Sequence, residues 1–115
     1  MEKGSFSWIM FAFDGRVNRT VYWIYSVAVL NVVYWGIFLL FTLIGGEQGA
    51  NIGYAVGMLV TLWSALAIGV KRCHDRGRPG IFVLLAFIPL VNIWYIIEVA
   101  FLPGVEGPNE HGDKP

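Results

Sequence analysis

Two long apolar segments without any charged residue stand out along the chain, at residues 21–44 and 52–70. As α-helices they would be roughly 36 Å and 28 Å long, and the hydrocarbon core of a bilayer is about 30 Å thick. The pair Gly45-Gly46 follows the first segment, and helices often end on glycine. The sequence therefore predicts two transmembrane helices joined by a short loop at residues 45–51.

A third apolar segment, residues 81–102, is interrupted. Pro89 removes a helix hydrogen bond, and the polar Asn92 follows it closely. Two arrangements fit: a single kinked helix that crosses the membrane, or a hairpin that turns at residues 89–92 and returns. The polar tail, residues 103–115, lies opposite residues 71–80 in the first case and beside them in the second.

The N-terminal residues 1–20 contain a short apolar stretch, residues 6–13, that ends at Asp14. Trp8 lies within it, and amphipathic aromatic side chains favour the headgroup region of a membrane. We expect a short helix in the membrane interface here. The predicted fold class is an all-α integral membrane protein with one domain, residues 1–115. It comprises this interfacial helix, two transmembrane helices and a third, proline-broken apolar segment (a helical hairpin or a single kinked span).

Composition supports the membrane prediction. Hydrophobic residues make up 57% of the 115 residues and charged residues 14%, against about 45–50% and 25% in soluble domains. A soluble protein of this size has too little interior to bury so much apolar surface. The net charge is zero and the basic residues form only short clusters beside apolar segments, so no nucleic-acid partner is expected.

The basic residues predict the orientation. Cytoplasmic ends of membrane helices are enriched in lysine and arginine, and residues 45–51 contain neither. We therefore expect this loop to be external, and the N-terminus and residues 71–80 to be cytoplasmic. The basic residues on the cytoplasmic side are Lys3, Arg16, Arg19, Lys71, Arg72, Arg76 and Arg78.

Small residues recur at every fourth position along the second segment. Such a row lets another helix approach closely, although a glycine-rich helix also produces it by chance. The predicted packing residues are Gly49, Gly53, Gly57, Ala65 and Gly69.

Polar residues within the apolar segments form a second group of candidates: Asn31, Asn92 and Glu98. We expect Asn31 to hydrogen-bond to a neighbouring helix. Glu98 is ionisable, and burying such a group in a membrane is costly. In the hairpin arrangement it would lie near the basic residues and pair with Arg72 or Lys71. Otherwise it reaches the interface.

Three polar stretches together resemble a known family: FDGRVNRTVYW (13–23), KRCHDRGRPG (71–80) and LPGVEGPNEHGDKP (102–115). They are similar, in order and spacing, to the signatures of the domain of unknown function 805 family, and the resemblance covers essentially the whole chain. It implies a small protein of the bacterial inner membrane and carries no established reaction. Pro79 stands where family members often have serine.

The candidate functional site is a polar cluster on the cytoplasmic face: Arg16, Arg19, Arg72, His74 and Asp75, with Asn109 added by the resemblance. Asp75 would orient an arginine, and the remaining guanidinium groups would bind phosphate, because the planar fork of arginine matches its oxygens. The alternative is a solvated loop whose Asp–Arg pairs only fix topology.

Catalytic and metal sites are not expected at Cys73 and His74. Only His111 adds a second imidazole, whereas zinc usually takes three or four such ligands. A Cys/His nucleophile needs the two side chains to face each other across a fold, and adjacent residues in a turn do not. We predict no cofactor and no metal.

The favoured function is that of a non-enzymatic inner-membrane protein that binds membrane lipid headgroups or a partner membrane protein through the polar cluster. The alternative is a subunit of a small transporter or channel. That alternative requires a homo-oligomer, because two or three spans hardly enclose a path.

Overall fold

The computed structural model describes all of residues 1–115, and its only regular elements are helices. The α-helices are α1 (Phe6–Phe11), α2 (Arg19–Trp23), α3 (Leu30–Asp75) and α4 (Val91–Phe101). A π-helical segment, Ile24–Val29, joins α2 to α3, and a 3₁₀ helix, Gly80–Phe87, precedes α4. The predicted all-helical class is therefore confirmed.

Arg19–Asp75 forms one helical stretch that is long and apolar enough to cross a membrane. Of its most apolar run of 18 residues, only 6% is buried inside the protein. The stretch is broken at Gly46, where φ is 63° and ψ is −139°. We call residues 19–45 the first arm and residues 47–75 the second arm. The predicted loop at residues 45–51 is wrong, because the helix resumes directly after Gly46.

The second arm packs back against the first through its glycines. A methyl group on Gly49 would meet the backbone carbonyl of Phe41, and one on Gly53 would lie 2.8 Å from the Phe41 Cβ. On Gly57 it would lie 2.9 Å from the ring of Tyr34. Successive contacts thus run forward on one arm and backward on the other, as in an antiparallel helix pair.

The row of small residues does not stay on this face. A step of four residues turns the helix by about 40° beyond a full circle, so the row rotates away from the first arm. Ala65 is exposed, and the packing expected of it is absent. Gly69 is buried, but its neighbours are Val83 and Tyr95 of the third apolar segment and not residues of the first arm.

The third apolar segment is a hairpin of two short helices and not one kinked span. Ile88 is extended (φ −102°, ψ 118°), as expected for a residue before proline. Leu90 then adopts φ 69°, and α4 starts at the next residue. The chain returns, and the backbone N–H of Val105 donates to the Asp75 carbonyl at 2.7 Å. The tail therefore lies beside residues 71–80.

Helix α1 lies against the second arm. The side chain of Ser5 caps its start by accepting from the N–H of Trp8 at 3.2 Å. Trp8, Ile9 and Met10 are buried in a core that includes Ile68. Trp8 is thus directed into the protein and not, as expected, towards the headgroups.

Gly49→Ala tests the pairing of the arms. The added methyl group meets a backbone carbonyl that cannot rotate away, so we expect the free energy of unfolding to fall by about 1–3 kcal/mol. Gly36→Ala is the matched control, because a methyl group there meets nothing within 4 Å. It should be neutral or stabilising by at most about 1 kcal/mol. Unfolding in mild detergent measures both, and equal effects would contradict the packing.

Candidate functional site

One buried carboxylate joins two arginines at the end of the second arm. The Nε of Arg16 donates to Asp75 Oδ1 at 2.9 Å, and a terminal nitrogen of Arg72 donates to Asp75 Oδ2. Arg16 is 4% exposed, Arg72 0% and Asp75 3%. Charges buried this deeply require partners. We call Arg16, Arg72 and Asp75 the polar hub.

Arg16 connects the hub to the tail. Its two terminal nitrogens donate to the carbonyls of Val105 at 2.7 Å, Gly107 at 2.8 Å and Gly112 at 3.1 Å. One side chain from the first polar stretch therefore binds both the second and the third. The structure brings together the three stretches that carry the family resemblance.

The C-terminal end of α4 is capped by side chains from other elements. The last carbonyls of a helix have no partner within it, and they form the negative end of its dipole. No basic residue lies in the last turn of α4 itself. The caps are Arg72 on Val99 and Leu102 (both 2.6 Å), Trp23 on Ala100 (2.7 Å), Arg19 on Phe101 (2.9 Å) and Arg76 on Pro103 (2.5 Å).

Lys71 caps the C-terminal end of α1. Its ammonium group donates to the carbonyls of Trp8, at 3.1 Å, and Ala12, and lies 5.1 Å from the centre of the Trp8 ring. Lys71 is completely buried. Two adjacent basic residues, Lys71 and Arg72, therefore hold the ends of two different helices.

Glu98 is buried and pairs with Arg78, not with Arg72 or Lys71 as expected. Its two carboxylate oxygens accept from Arg78 at 2.8 and 2.9 Å. These hydrogen bonds raise the pKa of the Arg78 guanidinium above its usual value. The same guanidinium lies 4.8 Å from the centre of the Phe82 ring. The hairpin arrangement implies that Glu98 pairs with a residue of the basic stretch 71–80. It does so, but with Arg78 near the end of that stretch and not with a residue at its start.

His74 holds the tail in place. Its Nδ1 donates to the Gly15 carbonyl at 2.9 Å, and its own carbonyl accepts from the Asn109 side chain at 3.0 Å. The ring of His111 stacks on that of His74, with centroids 3.8 Å apart. His74 and Asn109 thus join segments of the chain to one another.

Two glycines allow these close approaches. A side chain on Gly104 would collide with the Asp75 carboxylate, and one on Gly15, where φ is 91°, would come within 2.5 Å of the Trp8 ring. The sequence did not predict the contact of Gly104 with Asp75 or the capping roles of Trp23 and Lys71. The missing basic residue at the end of α4 was the available signal, since such an end attracts cations from elsewhere.

The predicted site residues separate into two groups. Arg16, Arg72, His74, Asp75 and Asn109 converge, and Arg19 lies exposed at the edge. Every guanidinium nitrogen of Arg16 and Arg72 donates within the protein. Neither arginine therefore has a guanidinium nitrogen without a partner, and of the predicted cluster Arg19 is the arginine that remains exposed for phosphate.

The two asparagines of the apolar segments, Asn31 and Asn92, lie apart from the hub. Asn31 donates to the carbonyl of Val27 in its own helix at 2.5 Å, not to a neighbouring helix. Asn92 is half-buried in the first turn of α4, where its backbone N–H donates to Ile88 at 2.8 Å. No group of three or more His, Cys, Asp or Glu side chains is arranged around a common metal position.

Comparison with known proteins places this arrangement in a family context. Residues 10–113 match the family described as Protein of unknown function (DUF805). The chain is 31% identical over 104 residues to "Inner membrane protein YhaI" of Escherichia coli K12, covering 90% of this chain and 85% of that protein. It is 37% identical over 100 residues to "Uncharacterized protein YiiR" of the same organism, covering 84% and 62%. No solved structure matches.

Arg72→Lys tests whether the hub needs the arginine fork. Lysine keeps the charge but cannot reach Asp75 and two carbonyls at once, so we expect a loss of about 2–4 kcal/mol in the free energy of unfolding. Arg19→Lys is the control, because Arg19 makes one exposed hydrogen bond and its loss should cost at most about 1 kcal/mol. Unfolding in detergent measures both. An Arg72→Lys protein as stable as the control would contradict the role assigned to the hub.

Proposed function

We propose that this chain, which belongs to the Protein of unknown function (DUF805) family, is a multi-pass, non-enzymatic protein of the bacterial inner membrane. A relative that it matches over most of both chains is named an inner membrane protein. The outward surface of the arms supports the proposal: Leu43, Ile44 and Leu59 are 75%, 80% and 69% exposed. Lipid is the environment that accommodates such a surface without cost.

The proposed orientation puts the polar hub in the cytoplasm. All eight basic residues precede the first arm's apolar part or follow the second arm's, and none lies near the turn at Gly46. Lysine and arginine favour the cytoplasmic side. The tail goes with the hub, because Arg16 binds its carbonyls. Both arms cross the membrane in this arrangement, and the hairpin of residues 81–102 enters and returns.

At this end the protein binds anionic lipid headgroups through Arg19, which is exposed, and through the part of Arg78 that reaches solvent beside its pair with Glu98. The observation that supports this proposal is a difference in burial among the arginines. Arg16 and Arg72 are buried and engaged, whereas Arg19 is exposed beside Trp23 and the Arg78 side chain is 41% exposed over Phe82. Aromatic and basic side chains at a helix end are typical of the headgroup region.

Cysteine labelling tests the orientation. A membrane-impermeant maleimide should label Gln48→Cys in intact cells, and Glu106→Cys only after the membrane is broken. The parent protein is the control and should stay unlabelled, because its single cysteine, Cys73, is completely buried. Labelling of Glu106→Cys from outside would show that the tail, and with it the hub, is external.

Lipid retention tests the binding role. After extraction in a mild uncharged detergent, native mass spectrometry should show anionic phospholipid bound to the parent protein. Arg19→Gln should reduce its occupancy about fivefold, since one basic group near a membrane surface contributes about 1 kcal/mol. Lys114→Gln removes an equal charge from the exposed tail and should change little. A stable homo-oligomer with ion flux and no bound anionic lipid would instead favour a transporter subunit.

A further inference from the structure

A cleft of about 380 Å³ lies between the start of the chain and the end of the tail. Lys3, Trp8, Arg16, His111 and Asp113 are among its lining residues. Arg16 contributes to a wall, but its nitrogens already donate to Asp75 and the tail. The cleft is therefore a separate space next to the polar hub.

Two of the lining residues, Trp8 and His111, each carry a ring nitrogen that is buried and has no hydrogen-bond partner: Trp8 Nε1 and His111 Nε2. Trp8 as a whole is 5% exposed, and its N–H can only donate. The Glu110 carboxylate comes within 3.3 Å of His111 Nε2 but forms no hydrogen bond with it, and its side chain is 78% exposed. Buried polar groups in folded proteins almost always have a partner, and neither nitrogen finds one within this chain.

Lys3 supplies a free positive charge at the same place. It is exposed and forms no ion pair with any other residue of the protein. Its ammonium group lies 3.9 Å from the point where a methyl group on Gly112 would be. The one carboxylate side chain in the lining, Asp113, is exposed and free to turn towards solvent.

We propose that this cleft binds a phosphoryl group, belonging either to a phospholipid headgroup or to free phosphate. Lys3 provides the charge, and Trp8 Nε1 and His111 Nε2 provide hydrogen bonds. A phosphoryl group fits because it offers several acceptor oxygens and a negative charge to the Lys3 ammonium group, the Trp8 N–H and the protonated Nε2 of His111. The lipid source rests on the proposed function, which puts this end of the protein at the headgroups.

The surroundings of the cleft suit a lipid. On α1, which carries Trp8, the side chains of Phe6 and Phe11 are 52% and 42% exposed. A phospholipid whose headgroup occupies the cleft can therefore lay its acyl chains along apolar side chains of the same helix. Free phosphate would use the cleft alone.

Nuclear magnetic resonance of the tryptophan indole N–H groups tests the proposal on the full chain in uncharged detergent. Trp8→Phe identifies the Trp8 signal among those of the five tryptophans. Sodium phosphate and dihexanoylphosphatidylglycerol are added in separate titrations at constant ionic strength. We expect the Trp8 signal to shift, and the Trp35 signal, far along the first arm, to stay in place.

Lys3→Gln should weaken the apparent affinity for the responding probe about fivefold, and the control Lys114→Gln should leave it unchanged. A shift with both probes, or with phosphate alone, supports a phosphoryl site open to free phosphate. A shift with the lipid alone assigns the headgroup. No shift with either, an equal shift with sodium chloride, or an unaltered affinity in Lys3→Gln overturns the proposal. The proposed function is judged separately, by the lipid retained in Arg19→Gln.

Discussion

Asp75 places one carboxylate between two buried guanidinium groups, and both arginines depend on it for their counter-charge. Arg16 extends from it to the tail, and Arg72 to the end of α4. Removing one member of such a buried set leaves uncompensated charge, at a cost of about 3–5 kcal/mol. One carboxylate with two ion pairs therefore helps to hold together three segments that are far apart in the sequence. The returning end of the hairpin at residues 81–102 is held beside these ion pairs, because Arg72 also donates to the carbonyls of Val99 and Leu102.

The basic stretch at residues 71–78 has two roles, and the structure separates them. Its charge is of the kind that keeps a helix end on the cytoplasmic side. Its side chains also satisfy backbone carbonyls at the ends of α1 and α4. The last carbonyls of a helix have no donor within that helix, so donors must come from elsewhere, and these side chains provide them. Most of the arginines therefore donate within the fold, and the basic groups that still reach solvent are Arg19, Lys3 and part of the Arg78 guanidinium, which also pairs with Glu98.

The two apolar arms are held together by a different interaction. Lipid chains provide no hydrophobic drive for helices to associate, so close packing must supply the contact. Gly49 and Gly53 let the backbones of the two arms approach, and the outward side chains face away as isolated apolar groups. The polar end and the apolar arms are thus stabilised by distinct forces: ion pairs and capping hydrogen bonds at one, steric fit at the other.

The sequence by itself determined the helical membrane class, the apolar segments and the break at Pro89, because hydropathy, length and backbone restrictions are local properties. It also indicated that three polar stretches belong together. Only the tertiary structure decided the contacts: Arg78 and not Arg72 for Glu98, a carbonyl of its own helix for Asn31, and an exposed position for Ala65. Which group a side chain contacts depends on which distant segments of the chain lie close together, and on which face each helix presents where they meet. The residue spacing within one stretch determines neither.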